Sequence, residues 1–414
     1  MSEQATAQLG GLYNPFDPRF LADPRPVFER LHQEAPVCYS DLFESWLITR
    51  YGDVVDALDR EVLRARSGKM GPPPPDEVTA EMAKGCPHAH VLYDSDGAEY
   101  ARLRALVDAA LSPRVVASLE PVARAVASEL VDAIAPGGAA ELVDDVVAPF
   151  ADRTILDFVG VPQPDHAQIR AWNYDSMTMF IPGKDLASQI AAARGVVAYQ
   201  RYTLDLITAR RAEPRDDLTT ALVHARVDGL EPLSDVEIVW ELMELTGVAS
   251  NTKFGLANVL LELLREPGRW AALRADQGLV PAAVGEALRV ECPILGSARE
   301  ARETLEIAGT TVPAGAPVLV AYAAANQDSD EFANPERFDP SRPNADHQLS
   351  MGRGNHSCVG APVARMQMRV AIEVIGARLA GLRLEDDYEA EYTAPFPFLR
   401  TVARLPVRWQ PRSA

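Results

Sequence analysis

The chain has 414 residues, with 40 basic and 59 acidic side chains for a formal net charge of −19, and is 47% hydrophobic and 24% charged. That length and apolar fraction support a large buried core, and both fractions are ordinary for a globular protein. The acidic balance argues against non-specific nucleic-acid binding, which needs a basic face, and no run of about 18 apolar residues offers a membrane span.

The opening MSEQATAQLGG lacks the basic region and apolar run of a secretory signal, so a cytoplasmic protein is expected. Cys38, Cys86, Cys292 and Cys358 are too widely spread for a C-x-x-C metal site and read as thiols in a reducing compartment. Residues 14–37 are proline-punctuated and then helical, and SWLITRYGDVVDALD (45–59) reads as a short strand followed by a helix. Residues 64–95, with GPPPP and KGCPHAH, show little periodicity and read as a long loop of the kind that often forms a lid or binding loop.

Helical patterns follow at about 98–111, 114–134, 147–159, 164–177, 186–212, 234–266 and 279–290. Strand-like pieces come later: TLEIAG (304–309), TTVPAGAPVLVAY (310–322) and VARLPVRW (402–409). There is no internal repeat and no low-complexity linker. The fold class expected is mainly α with small β-sheets.

The 234–266 helix starts on a capping box, Ser234 with Glu237. Ile238, Leu242, Leu245 and Ala249 recur at helical spacing and make one face apolar. Gly247, Ser250, Asn251 and Thr252 then interrupt it. A mid-helix glycine costs ~1 kcal/mol relative to alanine, and neighbouring hydroxyls can bond back to helix carbonyls and bend the axis. Two readings stay open: a tolerated imperfection, or a bulge where a ligand approaches the backbone.

MGRGNHSCVGAP (351–362) places three glycines, a histidine and a cysteine ahead of a strongly helical stretch. A helix N-terminus offers unpaired N–H groups and a positive dipole end, which stabilise a thiolate. The glycines let the backbone turn tightly and lie close to a flat, bulky partner. A lone cysteine before a helix is by itself more often structural.

The context changes that. Met351–Gly360 resembles the haem-binding loop of the cytochrome P-450 family, F-G-x-G-x-H-x-C-x-G: Gly352, Gly354, His356, Cys358 and Gly360 match, and Met351 replaces the phenylalanine. EALR resembles the family's E-x-x-R, with Glu286 and Arg289, and NPERFDPSR its meander, with Arg337 as the arginine. Three motifs in the right order and separation carry the resemblance.

The resemblance implies a single cytochrome P-450 domain over 1–414, of the soluble bacterial type, around a buried haem b with the Cys358 thiolate as axial ligand. It implies propionate contacts from Arg104, Arg299 and His356. Arg104 sits in DGAEYARLR, where the family often writes H-x-x-x-R and this chain has Tyr100. Glu286 and Arg289, at i and i+3 on one helix face, would hold the fold behind the haem with Arg337 as third member. Leu242, Leu245, Thr246, Ala249 and Ser250 are implied on the distal side of the substrate pocket. Pro293, Ile294, Leu295, Phe396 and Phe398 would complete it, under a roof from 64–95 and 174–185.

The reaction implied is monooxygenation of a small hydrophobic substrate, by hydroxylation or O-dealkylation. It uses dioxygen and two electrons from NAD(P)H through a ferredoxin and a ferredoxin reductase. The distal motif, A/G-G-x-D/E-T, departs from pattern: with Gly247 as its second glycine, the acid becomes Ala249 and the threonine becomes Ser250. Asn251, Thr252 or the substrate would then have to complete proton delivery. That gap leaves open a peroxide-using or oxidative-coupling enzyme of the same class, and beside it a non-enzymatic haem sensor or binding protein.

Overall fold

The structure, a computed structural model, describes residues 8–65, 74–178, 184–249, 251–396 and 398–411. The chain divides into two compact units, Ser67–Val126 with Ala151–Asn251, and Met1–Arg66 with Ala127–Phe150 and Thr252–Ala414. Among the described residues no helix is long and apolar enough to cross a membrane.

The first of these units is helical. Helix α1 (Gly97–Ala110) starts on Asp96, whose side chain accepts the Gly97 amide. Helix α2 (Leu186–Ala212) is capped by Asp185 and buries Ala192, Val196, Tyr199, Thr203 and Ile207, an apolar stripe at helical spacing. Helix α3 (Asp235–Ala249) packs on α2 and buries Ile238, Val239, Leu242, Met243 and Thr246. The capping box forms as expected: the Ser234 amide donates to Glu237 Oε2 at 2.7 Å, and the Glu237 amide to Ser234 Oγ at 3.3 Å. Arg102 of α1 pairs with the same Glu237.

The 64–95 segment is not all loop. It contains a short strand end and a helix over Asp76–Met82 that buries only Val78, too little apolar periodicity to register in the sequence. Residues 66–73 lie outside the described residues.

The second unit carries a five-stranded sheet of β1 (Val37–Ser40), β2 (Ser45–Ile48), β3 (Leu63–Ala65), β4 (Ser297–Ala301) and β5 (Pro317–Val320), in the order β1-β2-β5-β4-β3. β2 and β5 run parallel, with Leu47 opposite Leu319; the other pairs are antiparallel. Strand alternation divides the core. Ile48, Val318 and Val320 join one buried cluster with Val54, Leu58 and Phe332. Leu47 and Leu319 join another with Tyr13, Phe20, Phe28 and Leu31. A sheet buried on both faces explains why WLI (46–48) and PVLV (317–320) are continuous apolar runs.

Helix α4 (Thr252–Leu264) is buried all round from Gly255 to Leu264. Helix α5 (Val280–Val290) carries E-x-x-R, and α6 (Ala361–Arg378) follows the cysteine. α6 comes close to α4 at Gly255, where an added Cβ would lie 2.6 Å from Met368 Cε. The single helix expected over 234–266 is two: α3 ends at Ala249, the Asn251 amide donates to the Val248 carbonyl at 2.9 Å, and α4 starts at Thr252. A further helix, Pro267–Ala275, follows Glu266 and went unread in the sequence; Pro267 presets its first turn.

Candidate active site

The cysteine loop is folded by its own backbone. The Cys358 amide donates to the Met351 carbonyl at 2.8 Å, and the Ser357 amide to the Gly354 carbonyl at 3.0 Å. Gly352 and Gly354 hold φ of +69° and +73°, a region that favours glycine. The loop is tied down at its edge, with Arg353 bidentate on Asp59 at 2.8 and 2.7 Å and Asn355 donating to Glu61. Cys358 is exposed, one turn before α6, whose N-cap is Gly360. The Ala361 amide donates to the Cys358 carbonyl at 3.2 Å, closing the turn from the cysteine into α6, and a cysteine at a helix N-terminus is the setting that favours a thiolate. His356 is half-buried.

Behind this loop stands a buried ionic cluster. Glu286 and Arg289 are fully buried and joined by two bonds, Nε to Oε2 at 2.9 Å and Nη2 to Oε1 at 2.7 Å. Arg289 Nη1 also donates to the Asn326 carbonyl at 2.8 Å. The third guanidinium is not that of Arg337. Arg342 Nε reaches Glu286 Oε1 at 3.3 Å, while the exposed Arg337 supplies only its carbonyl, which accepts from Arg289 and Arg342. The meander turns back after Asp339, whose amide also donates to Glu286, and this brings the second arginine of NPERFDPSR inward. Arg289 and Arg342 both lie over the Phe332 ring.

Arg299, on β4, is buried, with Nη1 donating to Ser297 Oγ at 2.6 Å and to the Ala298 carbonyl at 2.9 Å. Next to it, residues 293–295 pair with 398–400: Leu295 N donates to Phe398 O at 2.8 Å and Arg400 N to Pro293 O at 2.9 Å. Ile294 is half-buried and Phe396 exposed. Leu295 is instead a core residue, fully buried in the cluster of Tyr13 and Phe28, and the partly buried Phe398 packs against that cluster with its ring 5.4 Å from Phe43. Thr252 is buried at the start of α4.

In the helical unit, Tyr100 and Arg104 sit one turn apart on α1. Arg104 Nη1 donates to the Tyr100 hydroxyl at 3.1 Å and Nε to Asp108 Oδ2 at 2.8 Å, so the phenol holds the guanidinium. On α3, Leu242 is buried, while Leu245 and Ala249 are partly exposed. The Thr246 hydroxyl is engaged within the helical unit: it is bonded to the Tyr199 hydroxyl on α2 and to the carbonyls of Leu242 and Met243. Beside Gly247 an added Cβ would meet only Asn173 Oδ1, at 3.9 Å, so packing does not require that glycine. Ser250 and the roof residues 179–183 lie outside the described residues.

The sequence profile of the family described as Cytochrome P450 matches residues 194–375. Along 94% of this chain and 92% of its own length, the Cytochrome P450 monooxygenase PikC of Streptomyces venezuelae is 32% identical. The chain belongs to the cytochrome P450 family. The Mycinamicin IV hydroxylase/epoxidase of Micromonospora griseorubida is 36% identical over 88% of this chain and 90% of its own. Among solved structures, cytochrome P450 CYP109Q5 from Chondromyces apiculatus superposes with a TM-score of 0.83 at 31% identity, over 96% of this chain and 98% of that one.

As a cytochrome P450 the protein is a monooxygenase, and its family binds haem b through an axial cysteine thiolate and generally works with dioxygen and redox partners. The residues present fit that group: an exposed thiol at a helix mouth, and a glycine loop able to lie against a flat ring. Sequence reasoning missed Arg342, Asn326 and Ser350. Arg342 stood in the quoted meander five residues after Arg337; Asn326 and Ser350 carry no motif signal.

Proposed function

We propose that the protein is a haem-thiolate monooxygenase of a small hydrophobic organic substrate, with Cys358 as the axial ligand. The single observation that carries this reading is Cys358 itself: an exposed side chain, held by the Met351 carbonyl at its amide, immediately before α6. When bound, the haem supplies dioxygen activation, helped by electron donation from the thiolate. The protein supplies orientation, protons and exclusion of side reactions. Arg299 and Arg104 are planar donors suited to carboxylates, and with His356 they are the proposed propionate partners. Leu242, Leu245, Ile294 and Phe396 are the proposed apolar lining. The whole chain acts as one cytochrome P450 domain.

Hydroxylation is favoured as the reaction because a 36% identical relative is named for it. Electrons come from NAD(P)H through a ferredoxin and its reductase, in the cytoplasm. Cys38, Cys86 and Cys292 form no disulfide, which suits a reducing compartment. The alanine at 249 favours a second reading, use of peroxide in place of dioxygen and reductant.

The test is optical. Reduced holoprotein under carbon monoxide should show the absorption band from which the family takes its name. Cys358→Ser protein that keeps that band would overturn the ligand assignment. Product formation with dioxygen, ferredoxin and reductase, compared with peroxide alone, separates the two readings.

A further inference from the structure

Residues 84–95 hold three side chains that oxygenase chemistry does not use. His88 Nε2 lies 3.6 Å and His90 Nδ1 3.5 Å from Asp94 Oδ2, and the three ligand atoms all lie within 4.8 Å of one another. We propose that His88, His90 and Asp94 bind a late first-row divalent cation, of which Zn²⁺ is the type.

Two imidazoles and a carboxylate are a donor set suited to such ions. Bonds of about 2.0–2.1 Å at a tetrahedral centre put neighbouring ligand atoms about 3.3–3.4 Å apart. The two separations to Asp94 are within a few tenths of an ångström of that, so no backbone movement is needed to close them.

The ligands are also pre-aimed. Asp94 divides its oxygens: Oδ1 accepts the Val91 amide at 2.9 Å, leaving Oδ2 toward the imidazoles. The His88 ring lies edge-on to the Trp240 indole, at 5.4 Å and 76°. Trp240 Nε1 in turn donates to the Pro87 carbonyl at 2.8 Å, which anchors the residue before His88 to α3. Supporting contacts of this kind orient metal ligands. Both imidazoles are exposed, so an ion has an entry path and a water can take the fourth position.

Two acidic residues of α3 stand behind the segment, and one of them, Glu241, accepts the Leu92 amide at 3.0 Å. Glu241 is fully buried on α3 and Glu244 lies one turn on; each has a buried carboxyl oxygen without a hydrogen-bond partner. The charge of Asp94 acts on both. Asp94 is three residues before α1. A bound ion would therefore cross-link residues 88–94 and stiffen the approach to the helix of Tyr100 and Arg104.

The experiment uses haem-loaded protein freed of any affinity tag, dialysed against zinc chloride, with retained zinc counted by atomic emission. Wild type should hold about one zinc per haem and melt higher with zinc present. His88→Ala, His90→Ala and Asp94→Asn should each weaken retention by roughly tenfold or more, since losing even a supporting partner costs that much. The Asp94→Asn change keeps an oxygen for the Val91 amide, and the carbon monoxide band checks that every variant is folded and loaded. No retained zinc, or retention unchanged in the His88→Ala/His90→Ala double variant, would overturn the site and leave an imidazole–carboxylate pair. Neither result would touch the haem-ligand assignment, which the carbon monoxide band reads separately.

Discussion

Ser350 Oγ donates a 2.8 Å hydrogen bond to the carbonyl of Leu288, inside α5. The same hydroxyl accepts Asn326 Nδ2 at 2.9 Å, and Asn326 Oδ1 accepts the Leu349 amide at 2.7 Å. Arg289 is bonded to the Asn326 carbonyl. A buried polar network thus runs from Glu286–Arg289 to the residue before Met351. Glu286 and Arg289 are thus linked to the cysteine loop through Asn326 and Ser350, buried polar groups that each bond the next.

Ser350→Ala should leave Asn326 Nδ2 and one lone pair of Leu288 O without their partner. A buried group left unsatisfied costs about 1–3 kcal/mol. The variant should melt lower and lose haem faster than wild type to a haem-accepting competitor. Equal melting and equal haem loss would show that the hydroxyl does not hold the loop.

The meander arginines separate cleanly. Glu286→Ala should cost about 3–5 kcal/mol because it strands buried Arg289. Arg342→Ala should cost about 1.5–3 kcal/mol, the worth of hydrogen bonds to a charged group. Arg337→Ala should change stability by about 0.5 kcal/mol or less, since its side chain is exposed and only its backbone carbonyl is used. Denaturant titration of the three variants ranks them. The reverse order for the two arginines would restore Arg337 as the third member.

Ala249 carries no proton, and general acid–base help is worth ~10²–10⁴-fold. Wild type should therefore release hydrogen peroxide when it consumes NAD(P)H, and Ala249→Glu should raise product formed per NAD(P)H. Ser250→Ala should lower that ratio more than it weakens substrate binding. If neither change alters coupling, the proton path runs through Asn251, Thr252 or the substrate.

Glu244 gives a pH signature. Burial first, then the charge of Asp94, push its carboxyl up to about 8, although the Tyr93 amide pulls the other way. A carboxyl raised on folding favours the folded state below its unfolded value of ~4.3. That contribution is lost as pH rises through about 8. Glu244→Gln should thus match wild-type melting near pH 4 and melt progressively higher than wild type toward pH 9. A melting difference independent of pH would mean that Glu244 titrates normally.

Local signals made much of this protein legible in its sequence. Each expected helix lies within two residues of an observed one, except where the long helix divides, because apolar periodicity and caps such as Asp185 and the Ser234–Glu237 box act within a few residues. The cysteine loop was legible for the same reason: positive φ at Gly352 and Gly354 and the helix after Gly360 are encoded in adjacent residues.

Only the tertiary structure decided which side chains share a partner. Arg342 rather than Arg337 reaches Glu286 because the meander folds back over Phe332. Thr246 bonds Tyr199 because α2 packs on that side of α3, and Leu295 is core because residues 398–400 pair over it. His88, His90 and Asp94 converge through local contacts, while Trp240 fixes the chain before them at Pro87. Periodicity determines which face of an element is apolar. Which element covers that face, and whose polar group meets a buried charge, depends on contacts tens to hundreds of residues apart in sequence, on which local propensity carries no information.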